Sequence, residues 1–156
     1  MFRYQLINKS INVVPLVDDR NIELFDLVKN HLVDKKKIEF LFRESCKKGA
    51  GLIAKWLWQL DNTIDIRANN ENAFRATCLH GHLEVAKWLW QLDNTIDIHA
   101  ENEETFRYAC QNGNLEVAKW LWQLDNTINI HAWNEYAFRN SCQNGARLNN
   151  ARSCVI

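Results

Sequence analysis

The sequence predicts an all-α solenoid of helix–turn–helix units, and three observations carry the prediction. The first is a 32-residue period. Phe42, Phe74, Phe106 and Phe138 recur at that spacing, as do Arg43, Arg75, Arg107 and Arg139. Cys46, Cys78, Cys110 and Cys142 keep the same step, with Gly49, Gly81, Gly113 and Gly145 closing each series. The second is verbatim copying: the eleven residues Ala54 to Ile64 return as Ala86 to Ile96 and as Ala118 to Ile128. The third is length. Each helical pattern covers only about ten residues, too few to be stable alone in water, so the units must support one another.

Within a unit the order is inner helix, turn, outer helix, extended finger. In the third unit Asn102 is the expected N-cap, with Glu103 and Glu104 in a first turn whose dipole favours acid. Thr105 and Ala109, and Phe106 and Cys110, stand at i and i+4 as one apolar stripe, and Gly113 supplies the stop. In the outer helix, Leu115 to Leu124, the residues Val117, Ala118, Leu121 and Leu124 gather on one face. Trp120 and Trp122 flank that face, and only a neighbouring unit on each side would cover both rings. Thr127 to His131 alternates apolar and polar as a short extended finger.

The period divides the chain into residues 1–38, which do not repeat, units at about 39–69, 70–101 and 102–133, a partial unit at 134–145, and a non-repeat tail at 146–156. Asn21 to Leu32 has a helical pattern suited to capping the open end of a stack. In the tail, Leu148, Ala151 and Val155 are spaced for a short capping helix at the other end.

Composition narrows the function classes. Of 156 residues, 47% are apolar and 24% charged, an ordinary globular balance. Lys plus Arg and Asp plus Glu both number 19, so there is no basic surplus to suit nucleic acid or an anionic membrane. The local run Lys35-Lys36-Lys37, with Lys47-Lys48, reads as a solvated loop and helix end. No apolar run is long enough to span a bilayer, and the N-terminus lacks a signal-peptide core. The expectation is an intracellular, cytoplasmic monomer with its five cysteines reduced.

Gly81-His82-Leu83-Glu84-Val85-Ala86-Lys87-Trp88-Leu89, followed by Asp97-Ile98-His99-Ala100, resembles the outer helix and finger of an ankyrin repeat. The Gly-x-Leu-Glu-Val core occurs intact at 81–85 and 113–117 and is degraded at 49–53. Ankyrin repeats usually open the inner helix with Thr-Pro-Leu-His. Here Asn72-Ala73-Phe74-Arg75, Glu104-Thr105-Phe106-Arg107 and Tyr136-Ala137-Phe138-Arg139 stand in that place. The Gly usual after the outer helix gives way to Asp-Asn. The Ala-Phe-Arg and Leu-Glu-Val-Ala-Lys-Trp-Leu wording is similar to the divergent ankyrin repeats of giant, mimivirus-like DNA viruses, which would make the setting a host cytoplasm.

Chemistry-bearing residues reduce to structural roles on this reading. Units stacked about 10 Å apart keep consecutive cysteines beyond disulfide reach, so they read as small buried hydrophobes. His80 and His82 have Asn112 and Asn114 as their copies, which favours capping over metal ligation. His99 and His131 take the place of Arg67 and read as structural hydrogen-bonding groups. The Arg series is expected to pair with nearby glutamates, the acids at 71, 103 and 135 lying one turn earlier, or with the carbonyls of the next finger. No phosphate loop, nucleophile–base grouping or catalytic carboxylate pair is present, so neither an enzyme nor a cofactor is expected.

What remains is a scaffold for a protein partner, contacted through fingers and inner helices, as the resemblance implies. The positions that vary among otherwise copied units are the candidates: Asn69, Glu101 and Trp133; Asn72, Glu104 and Tyr136; Ala76, Tyr108 and Asn140. Two alternatives stand beside it. One is a degenerate viral paralogue without a retained partner, suggested by the loss of the repeat after Gly145. The other is an adaptor recruiting a ubiquitin ligase through residues 1–38.

Overall fold

In the computed structural model, residues 14–28 and 34–128 are described. All regular structure among them is helical. The chain divides into two compact units, one up to Asp65 and one from Ile66.

In the first unit, two 3-10 turns, Val14–Leu16 and Asp19–Asn21, lead into α1 (Ile22–Val28). The inner helix α2 (Lys35–Lys48) packs on the outer helix α3 (Gly51–Leu60). Asp34 caps α2 by accepting the Lys36 N–H, and left-handed Gly49 ends it. Lys35, Lys36 and Lys37 open α2 and Lys47 and Lys48 close it, so the basic runs are helix ends. Ala50 precedes α3 and has no capping side chain. Asp19 serves instead: its Oδ1 accepts from the Leu52 and Ile53 amides at 2.8 and 3.1 Å. Phe25 of α1 is 1% exposed and meets the Trp56 ring edge-on at 5.8 Å, while the Trp56 indole donates to Asp26. The segment before the first inner helix is thus tied to α3 by a cap, a ring contact and a hydrogen bond.

In the second unit, the inner helices α4 (Ala68–Leu79) and α6 (Ala100–Gln111) pack on one another and each on its own outer helix, α5 (Leu83–Leu92) and α7 (Leu115–Leu124). The outer helix occupies the predicted span to the residue. Val117, Ala118 and Leu121 are buried as expected, but Leu124, at the helix end, is only half-buried. Thr105, Phe106, Ala109 and Cys110 form the buried stripe of α6. Phe74 lies between two indoles, Trp90 of its own repeat at 6.3 Å and Trp120 of the next at 6.1 Å. Trp120 therefore finds the neighbouring repeat, whereas the ring contact of Trp90 is with the phenylalanine of its own.

Two local expectations are corrected. Asn102 is not an extended N-cap: Glu101, Asn102 and Glu103 are all left-handed, at φ 55°, 55° and 62°, and α6 continues from Glu104. Asn tolerates that region, but each glutamate costs about 1–2 kcal/mol there, so contacts must hold the turn. The fingers are turns with no strand pairing among the described residues. Their alternation is nonetheless expressed in burial, since Ile64, Ile66, Ile96 and Ile98 are buried and Asp65 and Asp97 exposed.

Candidate protein-binding surface

The turn after each outer helix is built by an aspartate. Asp61 and Asp93 each accept the backbone N–H and the hydroxyl of the threonine two residues on, and Asp125 accepts the Thr127 N–H. This Asx turn does the work of the missing glycine. Hydrogen bonds from Thr63 and Thr95 hold the Asp61 and Asp93 carboxyls below the usual carboxylate range. A basic residue from the start of the preceding inner helix reaches each of the first two turns. Lys35 Nζ lies 3.0 Å from Thr63 Oγ1, and Arg67 lies 3.4 Å from Asp93 and 3.2 Å from Thr95 Oγ1. Lys35 and Arg67 stand one period apart.

Next along the chain, the finger leads into the inner helix. Asn69 and Asn72 are exposed, with Asn69 left-handed at φ 57°. Glu101 is exposed and left-handed, and its carbonyl accepts from Arg107 at 3.5 Å. Ala76 and Tyr108 are half-buried on the inner helices. Glu104 differs: Arg75 of the preceding repeat holds its carboxylate, and the two side chains are 22% and 15% exposed. One of its carboxylate oxygens is thus engaged within the protein. Trp133, Tyr136 and Asn140 lie outside the described residues, as do His131, Cys142, Cys154 and the tail.

The arginine pairing differs from expectation in its partner. Arg75 takes Glu104 of the next repeat and not Glu71 of its own, and Glu103 is engaged by His99. His99–Glu103 is an i, i+4 pair, whereas Arg75–Glu104 joins residues 29 apart that helix periodicity does not bring together. Asn112 and Asn114 do more than cap their own turn. The Asn112 amide donates to the Leu79 carbonyl at 2.9 Å, and the Asn114 amide donates to Cys78 and Leu79 at 3.1 and 2.7 Å. They satisfy the end of α4 from the next repeat, where orphan carbonyls need donors. His80 caps its own helix through Nδ1 and the Ala76 carbonyl, and its ring stacks on His82.

Cys46, Cys78 and Cys110 are free and buried, and burial raises the Cys46 and Cys78 thiols, that of Cys78 to about 12. Among the described residues no three His, Cys, Asp or Glu side chains are grouped to hold a metal ion. No described helix is long and apolar enough to cross a membrane.

Paired short helices, near-identical outer helices and side chains bridging successive inner helices define a helical repeat protein. The family model for ankyrin repeats (3 copies) matches residues 26–134, and the chain belongs to the ankyrin repeat family. Its fold is accordingly the all-α, ankyrin-like solenoid class. Ankyrin repeats are protein–protein interaction modules and generally non-enzymatic scaffolds. No curated protein and no solved structure matches the chain.

Proposed function

We propose that this chain is a monomeric scaffold that binds one protein partner through its fingers and inner helices. The observation carrying the proposal is where variation falls. The outer helices α5 and α7 are identical in sequence, whereas Asn69 and Glu101, Asn72 and Glu104, and Ala76 and Tyr108 differ at equivalent positions of the fingers and inner helices. Asn69, Asn72 and Glu101 are exposed. Outer helices held constant beside fingers and inner helices that vary are what selection for a particular partner would leave. Trp133, Tyr136 and Asn140 extend the same series.

In this reading residues 1–38 cap the array, 39–145 are the repeats and 146–156 are a tail. The packing of Phe25, Asp26 and Asp19 on α3 supports the first assignment. The wording of the repeats further suggests a giant-virus source, an intracellular site of action in the host cytoplasm and a host protein as partner.

The test is affinity capture from host cytosol by the wild-type chain and by a variant carrying Asn72→Ala, Glu101→Ala and Tyr108→Ala. These side chains lie outside the buried core, so the variant should fold. A protein retained by the wild type and lost by the variant supports the reading. No protein distinguishing the two would end it.

A further inference from the structure

The basic residue that reaches from one inner helix to the following turn is Lys35 at the first step and Arg67 at the second. One further period on, the position is His99. Its imidazole lies between two carboxylates. Nδ1 is 2.9 and 3.0 Å from the oxygens of Glu103 on its own helix, and Nε2 is 3.2 Å from Asp125 Oδ2 in the turn after α7. Its backbone N–H goes to Asp97 in the finger. A neutral imidazole has one N–H, and its other nitrogen is an acceptor. Two ring nitrogens each against a carboxylate oxygen therefore require the doubly protonated, cationic ring.

We propose that His99 is a proton-operated clasp that joins the left-handed turn at 101–103 to the turn at Asp125 when charged and releases Asp125 when neutral. Lys35 and Arg67 do the corresponding work with charges that persist through the physiological range. Of the three described steps, the one at His99 alone has a side chain that changes charge near neutrality. The release is assigned to Asp125 because Glu103 holds Nδ1 with both oxygens, whereas Asp125 contributes one longer contact. Asp125 keeps the Thr127 amide when it is released.

The charged groups facing the ring are Glu103 and Asp125, both negative. The hydrogen bond to Glu103 chiefly, then that to Asp125, raises the ring above its ordinary 6.5 against the opposing effect of burial. A group with a raised folded value contributes its full stability below the unfolded value and loses it as the pH rises through the folded one. The clasp is thus closed in mild acid and opens on the alkaline side of 6.5.

The experiment is hydrogen exchange read by NMR on the full chain, with rates expressed as protection factors to remove intrinsic base catalysis. Wild type and His99→Arg are compared at about pH 6 and about pH 8. His99→Lys, the residue type at position 35, replaces the arginine variant should that one not fold. Ring titration of His99 is followed in wild type and in Asp125→Asn. Wild-type protection in residues 125–128 should fall several-fold between the two pH values, while the permanently charged variant holds it. The His99 titration should lie above 6.5 and move down in Asp125→Asn. Equal pH dependence in both proteins, or titration at or below 6.5, overturns the proposal. The test uses the free chain, so its outcome is independent of any partner.

Discussion

Leu89→Ala is the substitution whose cost is most directly computed from the packing. Leu89 is 0% exposed on the buried face of α5, beside Val85 and Ala86. Truncation removes about three methylene equivalents, or about 2.4 kcal/mol at ~0.8 kcal/mol each, with no discount for partial exposure. The cavity left behind adds to this, because the surroundings of a buried leucine relax only in part. The total belongs in the upper part of the range of about 2–5 kcal/mol for buried leucines. For a chain of this size that is a fall of roughly 10 °C in melting temperature. Leu57 and Leu121 occupy the same place in α3 and α7, are equally buried, and should behave alike. Leu52→Ala is the control: Leu52 is 54% exposed and its loss should cost about 0.5 kcal/mol or less. Circular dichroism melts of the four variants give the comparison. If Leu89→Ala melts within a degree or two of wild type, the register of the outer helices is wrong.

Other perturbations separate further parts of the account. Gly81→Ala should destabilise more than Gly113→Ala in denaturant titration. Both positions are left-handed, at φ 79° and 73°, but a Cβ at 81 meets Asn114 Oδ1 at 2.6 Å and one at 113 meets nothing within 4 Å. The shared backbone cost is about 1 kcal/mol, and the excess at 81 measures displacement of Asn114 from the Cys78 and Leu79 carbonyls. Arg75→Ala should cost about 1–3 kcal/mol, because it deprives the mostly buried Glu104 carboxylate of its cation. Adding Glu104→Gln should recover part of that loss, and a double-mutant cycle reads the coupling. Cys46, Cys78 and Cys110 should react with a thiol reagent only as fast as the repeats open, so native reactivity should rise steeply with denaturant.

Much of this fold could be read from the period. Copying of Leu-Glu-Val-Ala-Lys-Trp-Leu-Trp-Gln-Leu defined the outer helix to the residue, because its start, apolar face and end all lie in local sequence. The flanking tryptophans implied neighbours on both sides, and Trp120 against Phe74 of the preceding repeat supplies one of them. The left-handed run at 101–103 was not legible, because Asn102-Glu103-Glu104 reads equally well as a helix start. Nor were the pairs Arg75–Glu104 and Asp19 with α3, which join residues 29 and more than 30 positions apart through side-chain reach, not periodicity. The ladder of Lys35, Arg67 and His99 had a usable signal. All three keep the 32-residue step, and so do the aspartates at 61, 93 and 125 that follow them. Reading the two series together would have paired them. For the binding surface the sequence supplied which positions vary, and the structure adds which of those side chains are exposed and which, like Glu104, are engaged.

The central claim is that a protein partner is held by the fingers and inner helices. Hydrogen exchange of the chain with and without the captured partner tests it most directly. Partner binding should add protection over residues 67–76 and 99–108 and leave the exposed faces of α3, α5 and α7 unchanged. Protection confined to those outer helices would contradict it.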